Sequence, residues 1–190
     1  MMTGRGIQMK RGASIAALGL MMLGACGDGL SDPSESSAPI QTSARSYEFV
    51  RDTVVILGDS FPRLGAEIPY TYANPTNRPI YIVQCHVPPA FVQRLSESGA
   101  WELFWGSSLS CLSAPTVIAP NDSFSSTLQF RAVEFGVEGL SPRFSREDLN
   151  GTYRIVFLNV VHLDDPSQYP NGSLLPESER VSNPFEMVMR

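Results

Sequence analysis

The chain has 190 residues, 43% hydrophobic and 17% charged, with 15 Gly, 15 Pro, three Cys, two His and a formal charge of −5. That length suits one domain with a core of useful size, and the ordinary apolar content argues against a disordered chain. The acidic balance argues against nucleic-acid binding, which needs a basic surface, and the one long apolar stretch is too short to span a bilayer comfortably.

That stretch comes first in the chain. Lys10 and Arg11 precede the apolar run 13–23 (ASIAALGLMML), the charge-then-apolar order of a secretory signal. Leu23-Gly24-Ala25-Cys26 then resembles a bacterial lipobox, in which small residues admit the peptidase and the cysteine thiol takes the diacylglycerol. The resemblance implies cleavage after residue 25, lipidation of Cys26 with palmitate-type chains, and attachment to a membrane of the bacterial cell envelope without a spanning helix. The first 25 residues carry three of the fourteen cations and none of the nineteen acids, so the remainder has a charge of −8 and contains no lysine. Residues 26–45 are rich in Ser, Pro, Asp and Gly and read as a disordered tether.

From residue 46 to 190 the pattern is that of strands. The run 47–57 (YEFVRDTVVIL) alternates apolar residues on both parities. Ile68, Tyr70 and Tyr72 alternate before the dense turn signal Asn74-Pro75-Thr76-Asn77-Arg78-Pro79. In 79–85, Ile80 and Ile82 fall on one side, with Tyr81, Val83 and Cys85 on the other. Residues 91–95 and 101–105 flank Ser96-Glu97-Ser98-Gly99 as a hairpin, and in 123–131 Phe124, Leu128 and Phe130 oppose Ser125, Thr127, Gln129 and Arg131. The run 152–163 (TYRIVFLNVVHL) is apolar on both parities, as a central strand would be, and a short run closes at 184–189. No helical apolar period extends over three turns. The predicted fold is an all-β, immunoglobulin-like antiparallel β-sandwich of seven to eight strands.

With Cys26 acylated, Cys85 and Cys111 remain, and in an exported chain they are expected to form a disulfide. The competing metal or redox reading has His86 beside Cys85, yet no CxxC and no second nearby His completes a tetrahedral set.

The segments IPYTYANPTNRPIYIVQC, LSESGAWELFW, SCLSAPTVIAPNDSF, LNGTYRIVF and SNPFEM resemble, in that order, a group of bacterial lipoproteins with an immunoglobulin-like domain of unassigned function. The resemblance covers about residues 47–190 and speaks for fold more than for function. A more distant similarity is to the bacterial intracellular proteinase-inhibitor domain, which shares the Asn-rich turn, the Trp hairpin and the GTY strand but generally lacks the cysteine pair. It implies a blocking loop, for which 132–150 or 163–181 are the candidates.

Several catalytic constellations are incomplete. Gly58-Asp59-Ser60 after an apolar strand resembles the nucleophile block of GDS-type esterases, with Ser60 attacking. The late histidine His162 has Asn159, not Asp, three residues before it, and Pro120-Asn121-Asp122 lacks the glycine of an oxyanion block. Asp148, Asp164 and Asp165 offer carboxylates for a cation without a recognisable loop, and Trp101, Phe104 and Trp105 offer an aromatic platform or core. Asn121, Asn150 and Asn171 head sequons best read as turns. The expectation is therefore a non-enzymatic binding or structural module with no catalytic residue, metal or cofactor. Its partners are the membrane, through Cys26, and a protein reached through loops or edge strands, with no nucleic acid.

Overall fold

The computed structural model describes residues 38–83, 90–106, 113–133, 144 and 148–189. Twelve strands lie among them: β1 (Ile40–Thr42), β2 (Ser46–Ile56), β3 (Asp59–Ala73), β4 (Ile80–Ile82), β5 (Ala90–Leu95), β6 (Trp101–Gly106), β7 (Thr116–Ile118), β8 (Ser123–Val133), β9 (Gly151–Phe157), β10 (Val160–His162), β11 (Ser173–Leu174) and β12 (Phe185–Met189). The only helical elements among the described residues are two single 3-10 turns, Pro166–Gln168 and Glu177–Glu179. The all-β sandwich expected from the alternation is thus present; the larger strand count comes from short strands of two or three residues that alternation cannot register.

An eight-stranded sheet runs β1-β3-β2-β12-β9-β5-β6, with β8 on the remaining side of β3. Strand β2 joins its two halves, since Ser46–Phe49 pairs with β12 and Val50–Ile56 pairs with β3. The halves face one another across the core. Tyr70 and Tyr72 on β3 meet Phe157 on β9, and Phe130 on β8 meets Phe104, Trp105 and Tyr153 on the opposite half. Phe130 also touches Phe49 and Phe144, so one fully buried ring makes five aromatic contacts, each worth about 0.5–1.5 kcal/mol beyond area burial. One ladder departs from the antiparallel expectation: β2 and β12 are parallel.

The second sheet runs β11-β10-β4-β7. The parity of β4 decides its two faces, as its sequence foretells. Ile80 and Ile82 enter the main core, while Tyr81 joins Val161 and Leu163 in a smaller cluster flanked by Val83 and Tyr169. The run 152–163 is not one strand. It breaks at Leu158-Asn159, β9 staying in the large sheet and β10 moving to the small one. The break leaves carbonyls without ladder partners, and the Arg180 guanidinium donates to those of Phe157 and Leu158 (both 2.9 Å) and of Leu175 (2.7 Å).

One further sequence expectation needs correction. The tether assigned to 26–45 ends too late: Ile40 is fully buried, and β1 pairs with Tyr70–Tyr72 of β3. One apolar residue in a polar stretch has no period, so only its long-range partner identifies it. Phe104 and Trp105 are adjacent yet both buried, because the ladder slips between Val92 and Gln93 and leaves Phe104 as the extra residue of a β-bulge.

The corner where β3 passes to β4 and β7 to β8 is held by Asn74, 1% exposed. Its amide donates to the carbonyls of Arg78 (2.7 Å), Ile118 (3.0 Å) and Ala119 (3.2 Å), and its Oδ1 accepts from the Thr76 amide (3.0 Å) and hydroxyl (2.7 Å). Its backbone exchanges bonds with Asp122 and Asn121 across the neighbouring turn. A carboxylate at this position loses every donor and faces three carbonyls. Asn74→Asp is expected to lower unfolding free energy by about 3 kcal/mol in urea denaturation, against little change for Asn77→Asp.

Candidate functional site

Among the described residues, β2 and β3 continue past their neighbouring strands as a hairpin. Pairing runs from Val50↔Gly65 to Ile56↔Asp59, whereas among the described residues β8 accompanies β3 as far as Arg63 and β12 accompanies β2 as far as Phe49. Residues 53–62 therefore form an overhang whose stem is clamped by Arg63 on Asp52, Nε to Oδ1 at 2.8 Å and an NH2 to Oδ2 at 2.6 Å. Apolar residues populate it: Val54, Ile56 and Phe61 are half-buried, Val55 is 66% exposed and Leu57 101%.

Leu57 and Gly58 are the two turn residues, both at positive φ (53° and 96°), the conformation of a type I′ turn. Gly58 suits it. Leu57 does not, since a Cβ in the left-handed region costs roughly 1–2 kcal/mol and Asn is the favoured residue there. A fully solvated leucine in a strained turn position satisfies neither solvation nor backbone preference, and such strain gathers where a side chain is presented for use. A shallow groove of about 450 Å³ runs along the stem, lined by Glu48, Val50, Asp52, Glu67 and Arg131. Arg131 donates to Glu67 there at 2.6 Å.

This hairpin contains the esterase candidate, and the structure gives Gly58-Asp59-Ser60 a turn and the start of a strand. Ser60 is exposed and opposite Val55. His162 lies on β10, its Nδ1 3.1 Å from the Pro79 carbonyl oxygen, in the corner beyond the other end of β3. Thirteen residues of extended chain from Ser60 to Ala73 span about 43 Å, so the two groups are not brought together.

The remaining candidates are occupied by structural partners. Asp148 pairs with Arg94 (3.0 Å) and Asp164 with Arg78 (2.6 Å), while Asp165 accepts from the Ser167 amide (2.8 Å) to cap a 3-10 turn. No group of three metal-ligating side chains occurs among the described residues. Trp105 is in the core, donating its indole N–H to the Arg131 carbonyl at 2.9 Å. The Trp101 ring is covered by the Arg154 guanidinium at 4.6 Å, so no open aromatic platform forms. Arg154 is further held by Gln93 (2.7 Å) and Glu177, and burial lowers its pKa against the pull of Glu177. Asn121, Asn150 and Asn171 all lie in turns or loops.

Of the blocking loops, 163–181 is tied down along its length. Asp165 caps it, the Tyr169 hydroxyl donates to Ser113 (3.1 Å), and the Leu175 amide bonds back to Val160 (2.9 Å). Most of 134–147 lies outside the described residues, as do Cys26, Cys85, Cys111 and His86. Nothing in the sequence pattern distinguished the hairpin as an overhang, because its alternation is the same as that of a strand that reaches a core.

Two expectations follow. Leu57→Asn, which relieves the turn without touching a core contact, should raise unfolding free energy by about 1 kcal/mol in urea melts. The Arg63 hydrogen bond holds the Asp52 carboxyl below its ordinary value of 3.8, so the stabilisation it gives is present at neutral pH. It is lost as pH falls below that ordinary value through the depressed one. Stability differences between wild type and Asp52→Asn should be constant above about pH 5 and vanish in strong acid.

No protein-family model matches the chain, and no curated protein matches it.

Proposed function

We propose that this chain is a non-enzymatic binding module of the bacterial cell envelope, lipid-anchored through Cys26, that contacts a protein partner through the β2–β3 overhang. The observation that carries the reading is Leu57, wholly exposed and in a backbone conformation that leucine avoids. The described chain begins at the opposite end of the sandwich, where Ala73 donates to the Pro39 carbonyl at 2.8 Å. The segment that follows Cys26 therefore enters the body at that end, away from the hairpin turn. The overhang 53–62 carries one charge, Asp59, and no cation, which suits an apolar pocket on a protein better than an anionic lipid surface.

A disulfide between Cys85 and Cys111 belongs to the same reading. Strand β4 ends three residues before Cys85, β7 begins five after Cys111, and the two strands pair from Ile82↔Thr116 to Ile80↔Ile118. A bridge beside that ladder closes a loop of 25 residues or so, worth about 3 kcal/mol in the chain-entropy model.

The test combines anchor and contact in intact envelopes. Palmitate incorporation should disappear in Cys26→Ser, and a photo-crosslinking residue at position 57 should give a discrete protein adduct where one at position 71 gives none. Labelling that survives Cys26→Ser removes the anchor, and equal behaviour at the two positions removes the hairpin.

A further inference from the structure

Two of the asparagines, Asn150 and Asn171, are followed by glycine. In such a pair the glycine nitrogen is able to attack the asparagine Cγ, because no Cβ shields it and its backbone turns easily. Closure requires the asparagine side chain and the intervening peptide plane to move together, and the two sites differ in what holds them. Asn150 is fixed on both counts. Its Oδ1 accepts from the Met189 amide (2.6 Å), its carbonyl accepts from Arg94, and Gly151 is paired opposite Met187 in the β9–β12 ladder. Breaking one such hydrogen bond on the way to the ring slows the reaction about tenfold.

Asn171 is exposed, in the loop between the Pro166–Gln168 turn and β11, and no hydrogen bond holds its side chain among the described residues. The Gly172 amide donates to the Pro170 carbonyl two residues back (3.0 Å), the weak bond of a three-residue turn. The chain on either side is pinned. Upstream, the Asn171 amide donates to the Gln168 carbonyl (2.7 Å). Downstream, Ser173 and Leu174 pair with His162 and Val161, and the Leu175 amide donates to the Val160 carbonyl (2.9 Å). Gly172 itself lies flat on β10: a Cβ there would stand 2.3 Å from the His162 carbonyl oxygen and 2.9 Å from the Val161 Cβ.

We propose that Asn171–Gly172 is a self-modification site, a slow chemical timer whose isoaspartyl product releases β11 from β10. The Gly172 amide gives its proton to hydroxide and its nitrogen bonds to the Asn171 Cγ. The Cγ–Nδ2 bond breaks, and Nδ2 takes a proton from water and leaves as ammonia. Water then opens the succinimide. Attack at Cγ restores the original backbone with aspartate in place of asparagine, whereas attack at the main-chain carbonyl carbon leaves the backbone running through Cγ. The net change is amide plus water to acid plus ammonia, with no redox step. The second product lengthens the backbone by one carbon between two pinned ends. Strand β11, only two residues long, is the piece that yields, and buried Leu175 is uncovered with it. The inference is independent of the hairpin and of any partner.

The test is incubation of the full chain in detergent, in mildly alkaline heavy-oxygen water, beside a free peptide of sequence YPNGSL. Peptide mapping by mass spectrometry should find Asn171 converted at least about tenfold faster than Asn150, with heavy oxygen in the acid and isoaspartate among the products. Hydrogen exchange at the Leu175 amide should quicken in the isoaspartyl fraction. It should keep its original rate in Asn171→Gln, which forms the ring far more slowly, and in Asn171→Glu, which brings the charge without lengthening the backbone. Asn150 converting as fast as Asn171, or Asn171 intact when the free peptide is consumed, overturns the site. Unchanged exchange in the isoaspartyl fraction, or equal loosening in Asn171→Glu, overturns the release of β11.

Discussion

Three carbonyls and two donors converge on the side chain of Asn74, in a site with almost no access to water. At this point β3 and β8, paired over eleven residues, give way to β4 and β7, paired again in the second sheet. Both chains must turn there, and turning strips backbone groups of their ladder partners inside the protein. The amide restores those bonds without bringing a charge, which neither a carboxylate nor an aliphatic residue can do. Register on both sides of the corner follows from it. Tyr70 and Tyr72 reach Phe157, and Ile80, Ile82 and Ile118 turn inward from the small sheet.

The other end of the same long strand has the opposite character. Around Phe130 the core is a dense set of rings, and the Tyr153 hydroxyl donates to the Leu149 carbonyl (2.7 Å) four residues upstream, as in the tyrosine corner of immunoglobulin-like sandwiches. Between Arg63 and the turn the described residues give the hairpin no such support, and Val55 and Leu57 are exposed. The body supplies rigidity and the overhang spends some of it: Leu57 costs turn energy and solvation at once, a burden that only a well-packed sandwich tolerates. The described fold is thus closely packed around Asn74 and Phe130, while the hairpin turn at Leu57 stands exposed.

Much of the sandwich was readable from alternation. Leu128 and Phe130 against Gln129 and Arg131, the division of β4 between two cores, and the β5–β6 hairpin all follow from a period of two. The turn at Leu57-Gly58 was also foreseeable from its glycine. The missed features share a cause. Ile40 needed a distant strand to reveal it, Phe104 needed a bulge, and the break at Leu158-Asn159 needed two separate sheets competing for one apolar run. Each depends on which strands lie beside a residue, a property that no local window contains.

The sequence by itself determined the class of fold, the faces of its strands and the places of its turns. These are consequences of side-chain period, backbone preference and hydrophobicity, which are written residue by residue. Only the tertiary structure decided that one run of alternating apolar residues fills a core while another stays partly exposed in a hairpin, and that Ser60 and His162 stand towards opposite ends of β3. Burial is a property of neighbours in space, and the chain's pattern fixes which side of a strand is apolar without fixing whether anything lies there to meet it.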